Sequence, residues 1–158
     1  MAAEPSAVTD AELVERLPRA RIDHDNRQFY AGWLQRRLLV NRCNACHQWH
    51  HPPKPVCPNC WSRDLEATEV SGRGTIHLLM LLHQGPPAPG VDYSAGPHPV
   101  ATVELAEQPA LRFTTTVVDC AVDDLAIGLP VELTWIDRDG VPFPAFRLAD
   151  EATRGAAS

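Results

Sequence analysis

Two Cys-x-x-Cys pairs, Cys43-Asn44-Ala45-Cys46 and Cys57-Pro58-Asn59-Cys60, stand ten residues apart in a chain of 158. Two residues between cysteines let both thiolates face one point from a tight bend. Two such knuckles together offer four sulfurs at the corners of a tetrahedron, the closed arrangement of structural Zn²⁺. The surrounding stretch, 38–65, holds four prolines and is too short to build its own core, so an ion has to fold it. Four thiolates leave no coordination position open, so such a metal holds structure and does not act as a Lewis acid. Iron in a rubredoxin-type site uses the same donors. Cys43-x-x-Cys46-His47 also fits the attachment motif of c-type haem, but that reading leaves Cys57 and Cys60 unexplained. Disulfides within the knuckles need an oxidising compartment. His47, His50 and His51 lie close by and read as solvated or outer groups rather than ligands.

The rest of the composition excludes whole classes. The longest strictly apolar run, 78–82, is far short of the roughly 20 residues a membrane helix needs. The beginning of the chain carries Glu4, Asp10, Glu12 and Glu15 and has no basic-then-apolar leader, so the cytoplasm is the expected location. Fourteen basic residues against 20 acidic ones give a net charge of −6, which speaks against a dedicated nucleic-acid binder. The charge is unevenly spread. Between residues 36 and 63 stand Arg36, Arg37, Arg42, Lys54 and Arg63, with no acid. Part of this excess offsets the charge of about −2 on a Zn(Cys)₄ unit. The other reading is a local surface for phosphate groups.

Along the chain, Thr9-Asp10-Ala11-Glu12 has the form of a capping box and predicts a helix over 10–17, stopped by Pro18. A second helix is expected from Asp25 as N-cap, with Phe29, Tyr30, Trp33 and Leu34 on one face, packed on its own domain or against a partner. From 70 onward the pattern turns to short alternating runs. Strands are expected over 70–82 (bent at Gly72-Arg73-Gly74), 100–105, 111–118, 131–136 and 141–148. A long loop fills 84–99, one helical turn is expected over 123–127, and Asp137-Arg138-Asp139-Gly140 reads as a hairpin turn. Five strands, the first bent, with a helical element before the fourth, predict a five-stranded OB-fold barrel. The expected organisation is an N-terminal arm and helices over 1–37, a rubredoxin-like zinc ribbon over 38–66, the barrel over 67–150 and a disordered tail over 151–158. The sequence shows no nucleophile elbow, phosphate loop or acid/base pair. Cys120 reads as a small apolar residue, and His83 and His98 flank the long loop as candidate lining residues.

Taken in order, Phe29-Tyr30, Arg42-Cys43, Pro52-Pro53, Cys57-Pro58-Asn59-Cys60, the run at 69–75, Pro-Val-Ala-Thr-Val-Glu-Leu at 99–105 and Ile-Gly-Leu-Pro-Val-Glu-Leu at 127–133 resemble the zinc-ribbon/OB-fold family labelled domain of unknown function 35. The resemblance covers about 21–148. It implies a non-catalytic accessory subunit in a hetero-oligomer with a thiolase-fold, lipid-transfer-protein-like enzyme. That enzyme would be a retro-aldolase, a carbon–carbon lyase acting on a 3-hydroxyacyl-CoA of the steroid side-chain type, sometimes joined by a MaoC-like hydratase. It also implies Zn²⁺ on Cys43, Cys46, Cys57 and Cys60, and acyl-CoA as a ligand of the complex. Candidate contacts to ligand or partner are Phe29, Tyr30, Trp33, Arg36, Arg37, Arg42, Lys54, His83 and His98. Where the family often has glycine after each knuckle, this chain has His47 and Trp61, which puts the local turn in question. The alternative is a nucleic-acid binder using Phe113, Trp135, Phe143 and Phe146 with Arg112 and Arg147. A third reading is a stand-alone enzyme or small redox protein.

Overall fold

Thr9 opens the first helix, its hydroxyl accepting the Glu12 amide at 3.2 Å. This helix, α1 (Asp10–Arg16), buries Leu13. The computed structural model describes residues 7–84 and 91–150. The second helix, α2 (Arg27–Leu34), starts later than the capping pattern implied. Asp25 is not its N-cap. The Asp23 carboxylate accepts the amides of Asp25 and Asn26 at 3.0 and 2.9 Å, building a turn before the helix, and Asn26 sits at the cap with no side-chain bond to the helix. The helix ends with Arg36 in the left-handed region (φ 56°), and the Arg37 amide reaches back to the Gly32 carbonyl at 2.8 Å. Gly32 is required there, because a Cβ would lie 2.5 Å from the Arg37 carbonyl oxygen.

Eight strands follow among the described residues. A three-stranded antiparallel sheet is formed by β1 (Leu39–Cys43), β2 (Trp49–His50) and β3 (Leu65–Glu69), with β1 in the centre. The barrel strands are β4 (Arg73–Leu82), β5 (His98–Leu105), β6 (Arg112–Thr116), β7 (Pro130–Arg138) and β8 (Val141–Leu148), hydrogen-bonded in the order β6-β5-β4-β7-β8. A parallel bridge between Val117 and Phe146 brings the edges β6 and β8 together, nearly closing a five-stranded OB barrel. The strand expected over 70–82 therefore begins at Arg73. Gly72, at φ +79°, turns the chain out of the first sheet and gives its carbonyl to the Leu133 amide at 2.7 Å. The helical turn expected over 123–127 is a 3₁₀ turn, Val122–Asp124. A second such turn, Tyr93–Ala95, lies inside the expected long loop. The tail 151–158 and the loop residues 85–90 lie outside the described residues.

One apolar cluster joins the two units. Phe29 of α2 and Leu38 and Val40 around β1 pack with Ile76, Val103, Leu105, Val131 and Phe146 of the barrel. Each fully buried side chain of this size contributes about 1.5–3 kcal/mol, so neither unit buries its apolar surface alone. No described helix is long and apolar enough to cross a membrane.

Candidate metal centre and the adjoining cleft

The two knuckles repeat one hydrogen-bond pattern. In the first, the Cys43 amide donates to the Gln48 carbonyl at 2.9 Å and the His47 amide to the Cys43 carbonyl at 2.8 Å. In the second, Cys57 donates to Ser62 at 2.9 Å and Trp61 to Cys57 at 3.0 Å. The residue after each second cysteine takes φ 63°, in the left-handed region. His47 and Trp61 therefore adopt the backbone that glycine would, at a cost of roughly 1–2 kcal/mol each, and the turn survives the departure from the family pattern.

These turns bring all four sulfurs within 4.8 Å of one another, with Cys43 to Cys60 and Cys46 to Cys57 both at 3.6 Å. A tetrahedron with Zn–S bonds of 2.3 Å has edges of about 3.8 Å. A disulfide needs sulfurs about 2.05 Å apart, and all five cysteines are free thiols. Cys43, Cys46, Cys57 and Cys60 are thus positioned to bind zinc. The two shifted thiols of the cluster move in opposite directions. The Asn59 side chain, followed by the Gln48 amide, lowers the Cys46 pKa to about 6. At Cys60 the Ser62 amide lowers the pKa, but the neighbouring sulfurs together leave it raised. In a metal-free cluster protons would be shared unevenly; a cation removes that conflict.

Gln108, in the turn between β5 and β6, ties the ribbon to the barrel. Its side-chain oxygen accepts the Trp49 amide at 2.9 Å, and its nitrogen donates to the Trp49 carbonyl at 3.1 Å, so it acts as an extra strand residue beside β2. Sequence reasoning missed this residue, because a polar group in a turn gives no sign of a distant backbone partner. His50 and His51 also depart from expectation. His50 is buried with both ring nitrogens unpartnered, and His51 is wedged between Phe29 (5.1 Å) and Phe113 (5.3 Å). His50 is buried and His51 half-buried, so both are withdrawn from water rather than fully solvated. His47 is exposed.

The other candidate residues are dispersed. Arg36 caps α2, Arg37 pairs with Glu69 at 2.8 Å, Arg42 lies across the Trp49 ring at 5.7 Å, and Lys54 is exposed. His83 is exposed beside the undescribed loop residues. His98 is half-buried, with its ring 6.5 Å from that of Tyr93. Phe29 is spent in the core, whereas Tyr30 and Trp33 remain half-buried and line a cleft of about 590 Å³. That cleft lies between the end of α1, α2 and the β7–β8 hairpin. Cys120 is no activated nucleophile, since burial and then Asp124 and Asp119 raise its pKa. The aromatic platform that nucleic-acid binding would need is largely internal, with Phe113 and Phe146 in the core. Arg112 and Arg147 are paired with Glu104 and Glu132 at 3.8 and 2.7 Å.

Comparison with known proteins agrees with this architecture. Residues 31–66 match the family model of the ChsH2 rubredoxin-like zinc ribbon domain, and residues 67–135 match that of the ChsH2 C-terminal OB-fold domain. A "Probable enoyl-CoA hydratase alpha subunit" of Thermomonospora curvata is 39% identical over 133 residues. The match covers 84% of this chain but only 40% of that relative. A "DUF35 domain-containing scaffold protein" of Methanocaldococcus jannaschii is 31% identical over 65% of this chain and 72% of its own length. Among solved structures, a chain of the "Ltp2-ChsH2(DUF35) aldolase" superposes with a TM-score of 0.74 at 38% identity, over 84% of this chain and 100% of that chain. A DUF35 protein of unknown function from Sulfolobus solfataricus shares the fold, with a TM-score of 0.57 at 11% identity over 88% of this chain and 96% of that one.

Proposed function

The chain belongs to the DUF35 family of zinc-ribbon/OB-fold proteins, and from that premise we propose that it is the non-catalytic subunit of a two-component retro-aldolase. Its partner would be a thiolase-fold, lipid-transfer-protein-like enzyme, and the substrate a 3-hydroxyacyl-CoA of the steroid side-chain type. The observation that carries this reading is the likeness to a whole chain of the Ltp2-ChsH2(DUF35) aldolase at 38% identity. The side-chain chemistry is consistent with an accessory role. Among the described residues the one cluster of metal-ligating side chains is the four cysteines, which would hold a structural Zn²⁺. That ion would fix the two knuckles and, through β2 and Gln108, their position on the barrel. The residues that form and break bonds would come from the partner, as would most of the acyl-CoA site. The hydratase name of a relative whose matched region is two fifths of its length supports a hydratase in the same assembly.

The test is co-expression with a thiolase-fold, lipid-transfer-protein-like protein from the same genome. The two chains should co-elute in size-exclusion chromatography. Retro-aldol cleavage of the C2–C3 bond of a 3-hydroxyacyl-CoA, giving a ketone or aldehyde and a short acyl-CoA, should need both. Cleavage by this chain alone, or full activity of the partner without it, overturns the proposal.

A further inference from the structure

The cleft beside α2 has a feature that packing alone does not explain. Its lining includes the apolar and aromatic side chains of Trp33, Phe143 and Pro142. Its volume of about 590 Å³ falls within the ordinary range of small-molecule sites, about 300–1,000 Å³. Arg138 stands in its wall with the guanidinium 3.9 Å over the Phe143 ring. That guanidinium is half-buried and makes no ion pair or hydrogen bond with any described residue. Neither sequence neighbour forms an ion pair with it, and Asp137 instead accepts the Gly140 amide at 2.9 Å. Desolvation already presses on this charge, lowering the Arg138 pKa, and the charge is felt at His98. Trp33, in the same cleft, has its indole Nε1 proton buried with no acceptor.

A half-buried cation with no carboxylate partner is costly unless an anion arrives. Phe143 covers one face of the guanidinium, which leaves its in-plane N–H edge for a two-oxygen acceptor. The cleft also carries Arg16 and Arg19 against Glu15 and Asp139, so its balance is cationic. Arg16 is partly engaged with Glu12 (3.7 Å) and the Gly140 carbonyl (3.4 Å).

We propose that this cleft binds an amphipathic organic anion, with its apolar body on Trp33 and Phe143 and its carboxylate or phosphate head on the Arg138 guanidinium. The site belongs to this chain alone and does not depend on the aldolase reading. Calorimetric titration of the zinc-loaded full chain tests it with octanoate, octyl phosphate, 1-octanol and inorganic phosphate. One or both amphipathic anions should bind at least tenfold more tightly than octanol or inorganic phosphate, and the preferred head identifies the source. Arg138→Gln should weaken anion binding at least tenfold while leaving octanol unchanged. Arg138→Lys, which keeps the charge and loses the fork, should fall between. The proposal is overturned by equal binding of octanol and the anions, by anion binding indifferent to Arg138→Gln in a folded protein, or by no binding of any probe. The last is the result expected if the cleft instead takes an acidic peptide.

Discussion

His51→Phe should change how stability depends on pH while changing stability at neutral pH very little. The ring sits between Phe29 and Phe113, and phenylalanine can keep those contacts. What it loses is the ability to take up a proton. Burial, and secondarily the charge of His50, lower the His51 pKa from the ordinary 6.5 to about 4. Below pH 6.5 the unfolded chain therefore binds a proton that the folded chain refuses. The stability that a neutral His51 confers is present above 6.5 and is lost as pH falls toward 4. With those two values, linkage gives a loss of about 1.4 kcal/mol by pH 5.5 and about 2 kcal/mol by pH 5.0. The thiolates of the metal site add their own pH dependence, but wild type and variant share it, so the difference isolates His51. Urea unfolding at pH 7.5 and 5.0, with zinc in excess, measures it. The wild type should lose about 2 kcal/mol more than the variant over that interval. Parallel pH profiles would mean that the His51 ring is hydrated in the folded chain, and would refute the wedge.

Three further outcomes follow from the same coordinates. Metal analysis should find one zinc per chain, and chelation or Cys43→Ser should unfold the ribbon, seen as loss of protection of the β1–β3 amides in hydrogen exchange; structural zinc is worth roughly 10–16 kcal/mol in isolated fingers. Gln108→Ala should cost about 1–3 kcal/mol in urea unfolding, because it strips both hydrogen bonds from the part-buried Trp49 backbone, and Gln108→Glu, which keeps the acceptor but turns a carboxylate oxygen toward the Trp49 carbonyl, should not restore it. Gly32→Ala should destabilise by about 1–3 kcal/mol, since the added methyl meets the Arg37 carbonyl at 2.5 Å and Leu39 at 2.8 Å; a neutral result in thermal unfolding would mean the end of α2 can shift.

The metal ligands and barrel strands were legible because their signals are local. Spacing brings two thiols to one point, and Ala101, Val103 and Leu105 alternate inward along β5 as a half-buried strand should. The ribbon sheet was not legible. Leu39, Val40 and Asn41 are consecutively buried, so β1 carries no alternation, and β2 has only two residues. Asp25 and Asp23 offer the same carboxylate to nearby amides, and only the three-dimensional turn selects Asp23. His51 looked like a surface group because the rings that cover it, Phe29 and Phe113, come from either side of it in sequence.

Charge shows the same limit most clearly. The acid-free run from Arg36 to Arg63 suggested a phosphate surface, yet the acid that meets Arg37 is Glu69, delivered by β3 through its pairing with β1. Arg42 in turn lies across an aromatic ring on the adjoining strand β2. Antiparallel neighbours thus absorb charge that looks unbalanced along the chain. The converse holds at Arg138. Flanked in sequence by Asp137 and Asp139, it reads as a neutralised, solvated turn residue. In the fold Asp137 turns to the hairpin backbone, Phe143 of the opposing strand stacks on the guanidinium, and the charge is left without a carboxylate partner among the described residues. A linear tally of charge therefore does not show which cations are paired in the fold. The arginine left without a carboxylate partner among the described residues is flanked in sequence by two aspartates, one of which, Asp137, is bonded to the Gly140 amide.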